Sequence, residues 1–328
     1  MNQYAASTFT VNELRKFDVK MEYIPDQIFI LKDGRIAVCE RGRQFKVFDP
    51  KNSFHCDISI NDDSLTKSKL LPYQGIVLPN GHIICQCFYH PKIPIINVLQ
   101  KEYEKAACIK HHEKFSPYSI ILISNGRFAT SGYDSIKIWK GTPPYLDTPL
   151  HVIEDPEKKQ IYESVYFSKQ DIILSRSSHE EDKEYYDVSF FKIRKWELNT
   201  FTCIGEYVGT IDYRIFPMND DMAIYGDCLI EISSMKEINN KIPINFNFGC
   251  FYRMGEDVLV SPRPGIPSKN ENGEIIRFDA NTLKIKGVYT LNHTGTVLKI
   301  CRLNEETIAT VSYDENEVKV WKVEDLIK

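Results

Sequence analysis

The sequence predicts an all-β fold: a single seven-bladed β-propeller of four-stranded antiparallel blades, spanning residues 1–328. Three observations predict it. The chain carries 18 Phe and 18 Tyr, residues that suit a pleated, half-buried surface. A hairpin signature recurs with a mean spacing of about 45 residues, the length of one four-stranded blade. A strand of apolar–polar alternation follows most of these turns and often ends in an aromatic residue, as expected of a strand with one buried face.

The turns come first. Leu31-Lys32-Asp33-Gly34-Arg35-Ile36, Leu78-Pro79-Asn80-Gly81-His82-Ile83 and Ile123-Ser124-Asn125-Gly126-Arg127-Phe128 repeat one pattern. Asp-Gly or Asn-Gly between apolar runs is a strong hairpin signal, because glycine supplies the positive φ that such turns need. Weaker versions lie at Phe167 to Ile172, Phe216 to Met222, Met254 to Val258 and Leu303 to Ile308, which makes seven turns and seven blades.

The strands that follow are Phe45-Lys46-Val47-Phe48, Ile136-Lys137-Ile138-Trp139, Ile193-Arg194-Lys195-Trp196, Ile275-Ile276-Arg277-Phe278 and Val318-Lys319-Val320-Trp321. All three tryptophans of the chain, Trp139, Trp196 and Trp321, take this one position. Blades two and five have Ile95-Ile96-Asn97-Val98 and Leu229-Ile230-Glu231-Ile232 instead.

The stretch from His293 to Trp321 resembles the WD-repeat family. It has His293-Thr294-Gly295, a hairpin, then Ser312-Tyr313-Asp314 and Val318-Lys319-Val320-Trp321, with Asn292 and Lys322 where the family pattern has Gly and Asp. Blade three is similar, with His112, Ser131-Gly132-Tyr133-Asp134 and Trp139. The resemblance implies a hydrogen-bonded structural set within a blade, formed by His293, Asp314, Ser312 or Thr310, and Trp321. It gives His112, Asp134, Trp139 and Trp196 the same structural standing. Buried His and Trp nitrogens need partners, so these residues read as scaffold and not as catalysts.

Blade seven ends after its third strand, so its fourth must come from elsewhere. The segment Leu14-Arg15-Lys16-Phe17-Asp18-Val19-Lys20 resembles the fourth strands Cys203 to Val208 and Lys286 to Thr290, and is expected to close the ring. Closure removes a sheet edge open to aggregation.

The totals exclude several function classes. A formal charge of −4 gives no global basic field for nucleic acid or anionic membranes. No run approaches the length of a membrane span, and the first 17 residues lack the apolar core of a secretory signal. Nine scattered cysteines with no Cys-x-x-Cys pair suit reduced thiols in a cytoplasmic monomer. Phosphate loops, nucleophile elbows and His-Glu-x-x-His are missing, so the chain reads as a non-enzyme with no cofactor and no metal. The run His179-Glu180-Glu181-Asp182-Lys183-Glu184 has no spaced ligand pattern and reads as solvated charge.

Function is expected on loops. Three insertions stand between second and third strands: residues 88–94 in blade two, 177–187 in blade four and 262–273 in blade six. A further proline-rich insertion, 141–149, follows the third strand of blade three. The face with the first three should carry Tyr73, Tyr118, Tyr133, Tyr213 and Tyr313, with Arg41 and Arg43 in the blade-one turn. Tyrosine and arginine are common interface anchors, so the leading reading is a protein-interaction scaffold or adaptor that binds a partner protein or peptide there. The alternative is a small anionic ligand, such as a nucleotide, held at the channel mouth by Arg41, Arg43, Arg176 and Arg263.

Overall fold

The computed structural model describes residues 8–11, 15–16, 25–40, 44–52, 55–61, 72–87, 92–97, 104–110, 117–132, 135–158, 161–178, 191–209, 214–225, 228–238, 248–262, 273–312 and 315–327. It is a seven-bladed β-propeller with almost no helix. The blades fall into two compact units, residues 64–242 and residues 1–63 with 243–328.

The 64–242 unit holds blades two to five. Blade two is β7 (Pro72–Val77), β8 (Ile83–Cys87), β9 (Lys92–Asn97) and β10 (Glu104–Lys110). Blade three is β11 (Ser119–Leu122), β12 (Phe128–Gly132), β13 (Ser135–Trp139) and β14 (His151–Glu154). Blade four is β15 (Ile161–Phe167), β16 (Ile172–Ser178), β17 (Phe191–Glu197) and β18 (Thr202–Gly209). Blade five is β19 (Ile215–Pro217), β20 (Met222–Tyr225), β21 (Cys228–Glu231) and β22 (Lys236–Ile238). Each is an antiparallel meander in chain order.

The other unit holds blades one, six and seven. Blade one is β3 (Pro25–Ile30), β4 (Ile36–Glu40), β5 (Gln44–Asp49) and β6 (His55–Asn61). Blade six is β23 (Phe248–Met254), β24 (Asp257–Pro262), β25 (Glu274–Asp279) and β26 (Ile285–Leu291). Blade seven is β27 (Val297–Arg302), β28 (Thr307–Ser312) and β29 (Val318–Lys322), followed by the short helix α1 (Val323–Leu326).

The N-terminal segment supplies the strand that blade seven lacks. β2 (Arg15–Lys16) pairs antiparallel with β29, Arg15 opposite Val320 and Lys16 opposite Lys319. The sequence did not foretell β1 (Thr8–Val11), which adds to the outer edge of β26 in parallel, Thr8 opposite Val288 and Val11 opposite Leu291. Blade six therefore has five strands, one of them parallel.

The hairpin turns follow the sequence expectation. Gly34 and Gly81 have φ of 86° and 89°. The Asp33 and Asn80 side chains each accept the backbone N–H two residues on, at 3.0 and 3.3 Å. The aromatic ends of the third strands are all buried. They pack between blades: Trp196 joins Ile136, Ile138 and Ile153 of blade three, and Trp321 joins Ile275, Tyr289 and Leu291 of blade six. Burying a large side chain contributes roughly 2–3 kcal/mol, so blade four is held against blade three, and blade seven against blade six, largely by these aromatics.

Candidate binding face

A four-stranded meander places two kinds of connection at one end of each blade. The link from second to third strand lies there, and so does the start of the next blade's first strand. In the 64–242 unit the starts of adjacent first strands are hydrogen-bonded. The Ser164 N–H donates to Ser119 Oγ at 3.0 Å, and the Ile215 N–H donates to Glu163 Oε2 at 2.8 Å. Ser119 Oγ also pairs with Ser131 Oγ at 2.6 Å.

At this end the connections differ in length. β12–β13 and β20–β21 turn within residues 133–134 and 226–227, whereas β8–β9 and β16–β17 are joined by residues 88–91 and 179–190. In the other unit the β24–β25 link takes residues 263–273. The expected insertions of blades four and six fall on second-to-third connections, although most of their residues lie outside the described ones. In blade two Lys92, Ile93 and Pro94 belong to β9, so that link is only residues 88–91, one longer than the 41–43 link of blade one.

The same end carries a backbone irregularity that the sequence reading missed. The register slips by one residue at the start of the first strand in blades two and four, between Pro72 and Gln74 and between Ile161 and Glu163. It slips likewise in blades one, six and seven, between Pro25 and Gln27, Phe248 and Cys250, and Val297 and Lys299. The extra residues are Asp26, Tyr73, Tyr162, Gly249 and Leu298. A bulge of this kind bends a strand end and re-aims its side chains. One extra residue at a strand start leaves no mark in an alternating pattern, so the signal was invisible in the sequence.

Of the anchors expected from sequence, Tyr118 is half-buried, and its N–H donates to the Ser131 carbonyl at 2.7 Å. Tyr73 occupies the blade-two bulge. Arg176 is only 8 % exposed. Its guanidinium lies 4.7 Å from the Phe191 ring centre, with Nε 3.8 Å from Glu163. Its charge is thus used inside blade four. Arg41, Arg43, Tyr133, Tyr213, Arg263 and Tyr313 lie outside the described residues, as do His112, Asp134 and Asp314. Arg214, which sequence reasoning passed over, is exposed directly before Ile215.

The structural set in blade seven resolves the choice between Ser312 and Thr310. Trp321 Nε1 donates to Thr310 Oγ1 at 2.6 Å, and His293 Nε2 lies 2.6 Å from the same oxygen. Ser312 instead donates to the Thr294 carbonyl at 2.8 Å. The carboxylate on His293 Nδ1 is that of Glu315, one residue beyond Asp314. Trp321 N–H and His293 Nε2 thus meet at the Thr310 hydroxyl, and His293 Nδ1 meets the Glu315 carboxylate, which links the three in one relay. Burial alone would raise the Glu315 carboxyl. His293, the Thr294 N–H and the Lys319 ammonium outweigh it and hold the group down to about 2. In blades three and four the tryptophans donate alike, Trp139 to Thr130 and Trp196 to Ser175, each at 2.7 Å.

A second device was legible but unread. Lys46, Lys137, Arg194 and Lys319 each stand two residues before the aromatic end of a third strand. Lys46, Arg194 and Lys319 are buried, and all three meet carboxylates. Lys46 meets Glu40 at 2.9 Å, and Lys319 meets Glu315 at 2.9 Å and also donates to the Asn292 carbonyl. Arg194 meets Asp155, Glu157 at 2.8 Å and Glu206 at 2.9 Å. Asp155 and Asn292 belong to the links between blades, so two of these cations tie an inter-blade link to the next blade.

The described titratable groups are thus largely spent on scaffold. Burial pushes the Cys250 thiol up to about 12 and the Cys301 thiol up to about 11. Neither is a thiolate at neutral pH.

No family model and no curated protein matches the sequence. The structure is similar to the crystal structure of the WD40 β-propeller domain of Doa1, with a TM-score of 0.66 and 10 % identity over 95 % of this chain and 96 % of that one. It is similar also to the Saccharomyces cerevisiae protein Sqt1, with a TM-score of 0.63 and 11 % identity over 96 % of this chain and 100 % of that one. The relay beneath Trp321, the seven blades and these two likenesses lead to one statement: the chain has the fold of a WD40 β-propeller, consistent with the WD-repeat resemblance of its sequence.

Proposed function

We propose that the protein is a non-catalytic interaction scaffold that binds a partner protein or peptide on the strand-start end of the blades of the 64–242 unit, which bears the long second-to-third connection 179–190. The observation that carries this reading is the strand-start bulge in five of seven blades. Bulges are features that direct side chains at a rim, and in blade four the bulge shares an end with the long connection 179–190. Tyr73, Tyr118 and the exposed Arg214 are the contact residues nearest to hand, and tyrosine and arginine are favoured anchors. The structural neighbours support a protein partner in kind only. The engagement of Arg176 with Glu163 and Phe191 takes one arginine from the anion-binding alternative. We place the protein in the cytoplasm as a monomer, a setting in which the buried thiols of Cys39, Cys85 and Cys250 would stay reduced.

The test is cross-linked partner capture with the parent chain, with residues 180–189 replaced by Asn-Gly, and with Arg214→Ala. Partners held by the parent and lost by both variants support the reading. Identical partner sets for all three chains, at matched melting temperatures, would overturn it.

A further inference from the structure

The outer edge of blade four is a long strand free of proline and lysine. β18 has eight residues and pairs with β17 on one side. Among the described strands none pairs with its other edge. Natural edges are blunted by short length, proline or lysine. β18 has neither residue; it has one bulge, at Ile204, as β26 has at Lys286, and its exposed positions include Ile204, 49 % exposed, and Val208, 48 % exposed, on either side of Glu206. The chain itself shows what a blade edge of this sort accepts. In blade six the equivalent outer strand, β26, is covered by the extended segment Thr8–Val11.

Charge specifies the visitor. Next to β18, Glu157 and Glu206 share Lys192 and Arg194. The cations are buried, with side chains 8 % and 0 % exposed, while the glutamates keep 37 % and 43 %. Solvent at this edge therefore meets the Glu206 carboxylate between two apolar side chains. Strand addition takes affinity from main-chain hydrogen bonds and specificity from alternate side chains.

We infer that the β18 edge is a second binding site, separate from the face proposed above, which takes an extended partner segment with Lys or Arg flanked two residues away on each side by Val, Ile or Leu. The basic residue lies against Glu206, and its apolar neighbours cover Ile204 and Val208.

The probe is a synthetic peptide, Thr-Val-Thr-Lys-Thr-Val-Thr, capped at both ends and added at about 1 mM to the full chain. Hydrogen exchange should show new protection within 202–209. Replacing the peptide Lys by Glu, or Val208 by Lys in the protein, should weaken binding tenfold or more. Because Val208 is half exposed, V208K should melt with the parent. Ile204→Lys provides a second variant at the other end of the site. No protection of 202–209, equal binding of the Glu peptide, or protection of 285–291 instead would overturn the inference. Sedimentation adds a further outcome: self-association of the parent abolished by V208K would make a second copy the occupant and overturn the heterologous partner.

Discussion

Replacing Arg194 by Met should destabilise the protein through the partner left behind. Arg194 and Asp155 both have side chains with no solvent exposure. Arg194 also meets Glu157, Glu206 and Ser177, the last at 3.2 Å. The two glutamates are more than a third exposed, so their pairs contribute about 0–1 kcal/mol each. Asp155 cannot turn to water. Removing one member of a buried pair costs about 3–5 kcal/mol, because the other charge stays desolvated. Met refills much of the aliphatic volume, so a cavity adds little. At roughly 2–3 °C per kcal/mol for a chain of this size, the melting temperature should fall by about 6–15 °C. The assay is thermal unfolding by circular dichroism, with urea midpoints as a second axis. The double change Arg194→Met with Asp155→Asn should recover more than half of the loss. A single-variant loss below about 1 kcal/mol, or a double variant no better than the single, would refute the buried-pair account.

Thr310→Val should cost about 2–4 kcal/mol, since it strands both the Trp321 N–H and His293 Nε2, while Thr310→Ser should melt near the parent. Glu315→Gln should destabilise at neutral pH in a pH-dependent manner. The folded carboxyl sits at about 2 against an ordinary 4.5, so its contribution is complete above the ordinary value and lost as pH falls toward 2. Urea midpoints of parent and variant should therefore converge across that window. Gly141→Ala should cost about 3 kcal/mol, because a Cβ there would lie 1.9 Å from the Gly126 carbonyl oxygen; differential scanning calorimetry would register it.

What could be read from sequence follows from where the signals are local. A turn announces itself through glycine and its Asx neighbour, and a half-buried strand through its alternation, so seven hairpins and five aromatic strand ends were legible. The parallel seat of β1 on β26 was not. It joins residues about 280 apart, and Thr-Phe-Thr-Val says extended without saying beside what. The strand-start bulges were hidden because a register slip is a relation between two strands. Glu315 was missed for another reason. The resemblance pointed to Asp314, and only geometry distinguishes adjacent carboxylates in a tight connection. Arg176 misled because arginine was read as a surface anchor, whereas its stem and guanidinium pack well on Phe191.

The recurring cation before the aromatic explains how blades persist where the family pattern is thin. A tryptophan fixes the angle between neighbouring blades by bulk, but the link that crosses from blade to blade is backbone and must be held by polar contacts. In blade four the resemblance offers no His–Asp pair, yet Arg194 grips Asp155 in the preceding link. In blade seven both devices meet on one carboxylate, with Glu315 accepting from His293 and from Lys319. A buried cation with two or three acceptors can therefore stand in for the histidine relay. The charge pairing is costly to desolvate and gives little net stability. Its gain is in position, since a guanidinium fork fits one arrangement of carboxylates. Position is what the proposed binding face, made of strand starts and inter-blade links, requires, because Tyr118 and Arg214 are only as well placed as the links that carry them.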